Sequence, residues 1–220
     1  MNNLTITTSE DLSPVISEQR VILHDVSWET YERLLADLAD QSYIRLAYDR
    51  GTLEITSPTT KHEKYNRTIA LLVEILAEEL GIDVASLGSS TFKRGDLERA
   101  FEPDSCFYIK NAERIIDKDE LDLTVDPPPD LVIEVDITSG SLVKFPIYRQ
   151  LGVPEIWRYD GRTLYIYQLA GDSYAESEYS AAFSWLTSRA LTAVLEKSKT
   201  LKRTALVRSF REMVRQQAPG

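Results

Sequence analysis

From Ser27 onward the apolar residues Trp28, Tyr31, Leu35 and Leu38 recur at spacings of three and four, which predicts a helix with Ser27 as its N-cap. The period then changes. IRLAYDRGTLEITS alternates on both sides of Asp49-Arg50-Gly51 and predicts a β-hairpin. After Pro58 the helical period returns. Thr60-Lys61-His62-Glu63 matches a capping box, Tyr65, Ile69, Leu72, Val73, Leu76 and Leu80 form the stripe to be buried, and Gly81 stops the helix. Short strand-like pieces follow: IDVASL, SSTFKR and DSCFYI. An acidic interval over 113–130, read as a solvated loop, leads into LVIEVDI. There Leu131, Ile133, Val135 and Ile137 share one face of a strand, and Val132, Glu134 and Asp136 share the other. A short helix, LVKFPIYRQL, ends at Gly152. EIWRYDGRTLYIYQL is then a second hairpin turning at Asp160-Gly161-Arg162, followed by one more strand and two helical segments. Hairpins and helices mixed in this order predict an α/β chain of α+β type with a mixed sheet, not a doubly wound parallel one.

The 220 residues suit one domain with appendages: a polar, aperiodic N-terminal arm over 1–19, a domain over 20–196 and a basic amphipathic helix over 197–220. A hydrophobic share of 43% supplies a core and excludes a disordered or fibrous chain. No apolar run approaches the roughly 20 residues of a membrane span, and the first residues lack the basic and apolar regions of a secretory signal. A single cysteine, Cys106, excludes an internal disulfide and a cysteine-built zinc site, which makes the cytoplasm the expected compartment. The net charge of −10 argues against a nucleic-acid partner, but it hides an asymmetry. Between Lys197 and Arg215 seven basic residues face one acid, so the rest of the chain carries −16. Two readings of that segment stay open. Leu206, Val207, Phe210, Met213 and Val214 recur at helical spacing, as in a helix that docks on the core or on a second copy, whereas the charges suit a nucleic-acid arm.

Several chemistries fall away by inspection. There is no phosphate-binding loop, no dinucleotide-binding glycine pattern and no nucleophile elbow, and two histidines, His24 and His62, cannot form a zinc helix of the H-E-x-x-H kind. His62 reads as a first-turn surface residue, and Cys106 as a buried small hydrophobe. Carboxylates and a lysine remain. Asp104 opens the run CFYI, Glu134 lies inside an otherwise apolar strand with Asp136 on the same face, and Lys144 stands ten residues after Glu134 beyond the turn Thr138-Ser139-Gly140. Two acids and a lysine around one point would hold a hard divalent cation and orient a water, an arrangement suited to breaking a phosphodiester. Ordinary structural roles stand beside that reading. Asp104 would cap a turn, Glu63 would complete the capping box, Glu134 would pair with Arg149 or Arg158, and Lys144 would be a solvated helix-start residue.

A set of segments ties these residues together: LEITSPTTKHEKYNRTIALLVEIL, EPDSCFYI, PPDLVIEVDITSGS, Lys144 and Tyr148 as K-x-x-x-Y, and GVPEIWRYDG. As a set, from about residue 27 to 170, they resemble the Uma-two family of restriction-endonuclease-like proteins, within the PD-(D/E)-x-K nuclease superfamily. The resemblance implies a restriction-endonuclease-like core: a central mixed β-sheet flanked by helices, here with an added N-terminal helix and hairpin and C-terminal helices. It implies Asp104 and Glu134 as metal ligands with the Val135 carbonyl, Glu63 as an extra helix acid, and Lys144 as a lysine displaced from the usual place, which Asp136 occupies. Pro146 puts Lys144 near a helix N-terminus, where a cation gains nothing from the helix dipole, so a functional reason for it is preferred. The implied activity is a Mg²⁺-dependent endonuclease, with Mn²⁺ as an alternative ion, acting on DNA as a homodimer. The alternatives are a nuclease-fold interaction module without catalysis, or a metal-dependent hydrolase of RNA or another phosphorylated substrate.

Overall fold

The computed structural model describes residues 19–41, 43–137 and 144–218. Among them are eleven strands and six α-helices in a mixed α/β arrangement: β1 (Gln19–Leu23), α1 (Trp28–Asp37), β2 (Arg45–Asp49), β3 (Thr52–Ser57), α2 (Thr60–Leu80), β4 (Ala85–Gly88), β5 (Phe92–Arg94), β6 (Arg99–Phe101), β7 (Ser105–Tyr108), α3 (Ala112–Ile115), β8 (Leu131–Val135), α4 (Lys144–Leu151), β9 (Glu155–Tyr159), β10 (Leu164–Ala170), β11 (Ser173–Ser177), α5 (Ser188–Ser198) and α6 (Arg203–Gln217). No helix among the described residues is long and apolar enough to cross a membrane.

The strands form two sheets. The six-stranded one has the order β11-β10-β9-β8-β7-β4 and is mixed, since β8 and β9 run parallel while its other neighbours are antiparallel. The second sheet, β1-β3-β2-β6-β5, is antiparallel throughout. It takes in the hairpin predicted from the sequence and adds β1 and β6, neither of which was anticipated. Gln19, assigned to the arm, begins β1, and residues 1–18 lie outside the described part.

Local chemistry explains the main elements. Ser27 caps α1 by accepting from the Thr30 amide. The β2–β3 hairpin closes through Arg50 and Gly51, both at positive φ (45° and 92°), the two-residue turn whose twist matches its strands. The N-cap of α2 is Thr59 rather than Thr60: the Thr59 hydroxyl accepts from the His62 amide, so the third helical residue is His62 and not Glu63. Gly81 ends α2 at φ 62°, the left-handed position that glycine takes without strain.

The two faces of β8 supply two cores, as its alternation predicts. Leu131, Ile133 and Val135 enter a cluster with α2, α5 and α6, whereas Val132 packs with Ile147, Tyr148 and Leu151 of α4 on the opposite face. Glu134 shares the Val132 face and therefore points toward α4. The C-terminal helix begins at Arg203, after α5 has run through Lys197 to Ser198. Leu206, Phe210 and Val214 of α6 are buried in the α2 core, while Arg211 pairs with Glu78 and Glu79, and Arg215 with Glu79. This is the docked amphipathic helix of the two sequence readings.

Candidate active site

Where the two sheets meet, the end of β8, the start of β7, the first turn of α2, strand β3 and the start of α4 surround a small cavity. Its lining includes Glu54, His62, Asp104, Glu134, Val135, Asp136 and Lys144, and its volume of about 10 Å³ is close to one water's worth of room.

Asp104 is locked in place from three sides. Its Oδ2 accepts from the Val135 amide at 2.8 Å and lies 3.0 Å from His62 Nε2. Its own carbonyl accepts from Asn66 Nδ2 at 3.0 Å, and Asn66 Oδ1 accepts from the Ser105 hydroxyl at 2.8 Å. His62, Asn66 and Ile69 lie three or four residues apart on the buried stripe of α2, so one helix face clamps the start of β7. Burial alone would raise the Asp104 carboxyl. The His62 hydrogen bond, the charges of His62 and Lys144 and the Val135 N–H outweigh it and hold the group below the ordinary carboxylate range.

Glu134 is 2% exposed and both of its oxygens are engaged. Lys144 Nζ donates to Oε2 at 2.9 Å, and the Tyr148 hydroxyl donates to Oε1 through a short contact. Lys144 and Tyr148 are one turn apart on α4, so both reach the same carboxylate. Burial pushes Glu134 up to about 8; Lys144 opposes the rise, and the charges of Asp104 and Asp136 add to it. Burial would lower the Lys144 ammonium, but Glu134, Asp104 and Glu54 outweigh it and keep it protonated. Asp136 is held by Arg158 Nε at 2.5 Å, and Arg149 donates to the Asp172 carbonyl. Neither arginine is the partner of Glu134.

The structure thus brings Asp104, Glu134, Val135 and Lys144 together, and it leaves Glu63 outside. Glu63 is one residue, about 100° of helical rotation, past His62, and its Oε1 accepts from Arg67 Nε at 2.6 Å on the outer surface. His62, expected at the surface, is 2% exposed and takes the inward position instead. That placement was legible, since His62 precedes Ile69 by seven residues on the same stripe. Glu54 was not singled out: it is 1% exposed, its Oε2 accepts from Arg20 Nη2 at 2.5 Å, and its buried Oε1 has no hydrogen-bond partner among the described residues. Cys106 is buried, and burial pushes its thiol up to about 12, as an inert core residue requires. The turn Thr138-Ser139-Gly140 lies outside the described residues.

The donor set suits a hard divalent cation. Among the described residues no three acidic, histidine or cysteine side chains form a ready-made cage. Mg²⁺ does not demand one, because it is commonly held by one or two carboxylates with waters and substrate phosphates completing its shell.

The family model "Uma2: Putative restriction endonuclease" matches residues 28–199. A crystal structure of a "putative nuclease belonging to DUF820" from Anabaena variabilis is similar at a TM-score of 0.47 and 17% identity, over 67% of this chain and 89% of that one. No curated protein matches the chain.

Proposed function

The chain belongs to the Uma2 family, and from that membership together with the buried acid–lysine cluster we propose that it is a divalent-metal-dependent endonuclease acting on DNA. The observation that carries the reading is the convergence of Asp104, Glu134 and Asp136 with Lys144 on one cavity, with the Lys144 ammonium 2.9 Å from Glu134. Asp104 and Glu134, with the Val135 carbonyl, are the groups that would hold Mg²⁺ or Mn²⁺. When bound, the ion neutralises charge developing on the phosphoryl oxygens.

The chain's own groups do the rest. His62 and the Val135 N–H fix Asp104 through Oδ2 and leave Oδ1, which takes no hydrogen bond from the described residues, as its donor oxygen. Tyr148 and Lys144 hold Glu134 in its rotamer at the cavity. Lys144 keeps its proton, orients the attacking water and stabilises negative charge on the phosphate. A homodimer would set two such sites against the two strands of a duplex, in the cytoplasm.

A second reading, a nuclease-fold interaction module without cleavage, is favoured by one observation: both Glu134 oxygens are already engaged. One experiment decides between them. Mg²⁺ and Mn²⁺ are titrated calorimetrically into wild type and Asp104→Ala/Glu134→Ala, and both proteins are assayed on plasmid DNA and on RNA. One metal site in wild type, absent from the double variant, with DNA cleavage reduced by roughly 10²–10³ or more, is the expected result. Metal-dependent cleavage that survives Asp104→Ala would overturn the site. Metal binding without cleavage would leave the module, and cleavage confined to RNA would change the substrate.

A further inference from the structure

Beside the acid–lysine cavity lies a much larger cleft, of about 970 Å³. The two adjoin: Arg45 and Pro58 line both. The cleft runs along the outer face of α2, roughly 140° around the helix from the stripe that clamps Asp104. Lys61, Lys64, Thr68 and Leu71, at spacings of three and four, form one wall, and the α5–α6 turn forms the other through Lys199 and Arg203.

Its charge is opposite to that of the molecule. Six cationic side chains, Arg45, Lys61, Lys64, Arg67, Lys199 and Arg203, line it against one carboxylate, Glu63, on a chain of net charge −10. Arg67 is answered by Glu63, and Lys199 by Glu196. Lys61, Lys64 and Arg203 are exposed and form no ion pair with another described residue. Three such cations in one concavity give it a positive field that draws a polyanion. Two tyrosines also line the cleft, Tyr43 at 60% exposure and the half-buried Tyr65, and an exposed aromatic ring offers a face on which a base stacks.

We infer that this cleft is the track of a nucleic-acid strand, with Lys61, Lys64 and Arg203 on its phosphates and Tyr43 under a base, leading past Arg45 to the acid–lysine cavity. The substrate class rests on the nuclease reading; the track itself rests on charge and continuity. An acidic protein surface would also be drawn to six cations, but it would have no use for the aromatic ring or for the path to the buried lysine. Of the C-terminal basic segment, Lys199 and Arg203 line the cleft, while Arg211 and Arg215 are taken up by Glu78 and Glu79.

The test is fluorescence anisotropy with a labelled 20-nucleotide DNA, single-stranded and duplex, in EDTA so that nothing is cut. Wild type, Lys61→Gln/Lys64→Gln/Arg203→Gln and Glu134→Gln are compared between about 50 and 200 mM KCl. The triple variant should bind about tenfold more weakly or worse, and its log–log salt slope should be shallower by about 2 to 3, at 0.7–0.9 per phosphate contact. Glu134→Gln should keep the wild-type slope. Tighter binding of the single strand would identify an unpaired strand in the cleft, and equal or tighter binding of the duplex one strand of a helix. No DNA binding by wild type at low salt, an unchanged slope in the triple variant, or equally effective displacement by polyglutamate would each overturn the inference. Its failure is separable from that of the nuclease reading. A wild type that binds through the cleft but never cuts defeats only the latter, and a cutting enzyme with an unaffected triple variant defeats only the former.

Discussion

Replacing Lys144 by Met removes the buried ammonium and leaves a carboxylate that must find another way to exist in the core. Lys144 is 4% exposed and 2.9 Å from Glu134, whose carboxyl also feels Asp104 and Asp136. In wild type the Glu134 carboxyl is pushed up to about 8, against about 4.3 in an unfolded chain. The native state therefore binds the extra proton, and stability falls as pH rises from about 4.3 until Glu134 ionises near 8, where the fall stops. Lys144 is the main influence holding that value down. Without it the carboxyl stays protonated to higher pH, and stability keeps falling beyond 8 at about 1.4 kcal/mol per pH unit. Lys144 itself contributes nothing to this window, because its proton is held above its ordinary range and is lost only at higher pH.

The cost of Lys144→Met should consequently be larger at pH 9.5 than at pH 6.5 by about 2 kcal/mol, the product of 1.5 pH units and that slope. At the lower pH Glu134 is neutral in both proteins, so the cost there stays below the roughly 3–5 kcal/mol of breaking an ionised buried pair. Urea unfolding at the two pH values, followed by tryptophan fluorescence with the fully buried Trp157 as a reporter, measures both numbers. Lys144→Met/Glu134→Gln lacks the glutamate that titrates above its ordinary range and should lose the increment. An equal cost at both pH values, or an increment that survives in the double variant, would refute the assignment of the titration to Glu134.

Two further substitutions probe the surroundings. His62→Ala removes the ring that fixes Asp104 Oδ2 and should weaken Mg²⁺ or Mn²⁺ binding roughly 10- to 100-fold by calorimetry, while His62→Gln, which keeps an N–H donor, recovers part of it; unchanged affinity in His62→Ala would make the histidine merely structural. Phe210→Ala, at a site 1% exposed in the α2 core, should cost about 3–5 kcal/mol in urea unfolding, whereas Arg211→Ala, whose ion pairs are screened by solvent, should cost far less. If both substitutions cost equally little, α6 is not a part of the core.

What the sequence reveals of this molecule depends on how local the signal is. The β8 alternation places Glu134 opposite the Leu131–Ile133–Val135 face, because side-chain direction in a strand needs only the strand itself. The helix of α2 is equally legible, but its frame turns on one residue. With Thr59 as the cap, His62 falls on the inward stripe and Glu63 beside it faces Arg67. Glu54 is another matter. In β3 it alternates with Leu53 and Ile55 and looks like a solvent-facing charge; it is buried because β1 and β2 flank its strand and the second sheet closes on the first at this point. Pairings between segments far apart in the chain leave no periodic trace in either partner, which is also why β1 and β6 passed unread. Charge behaves in the same way. Counting residues from Lys197 to Arg215 treats all seven cations as available, whereas packing α6 on α2 neutralises Arg211 and Arg215 against Glu78 and Glu79 and turns Lys199 and Arg203 toward Lys61 and Lys64. The positive surface of this acidic protein is therefore a product of tertiary docking: two short basic stretches, more than 130 residues apart, acquire a shared field only when α6 is seated.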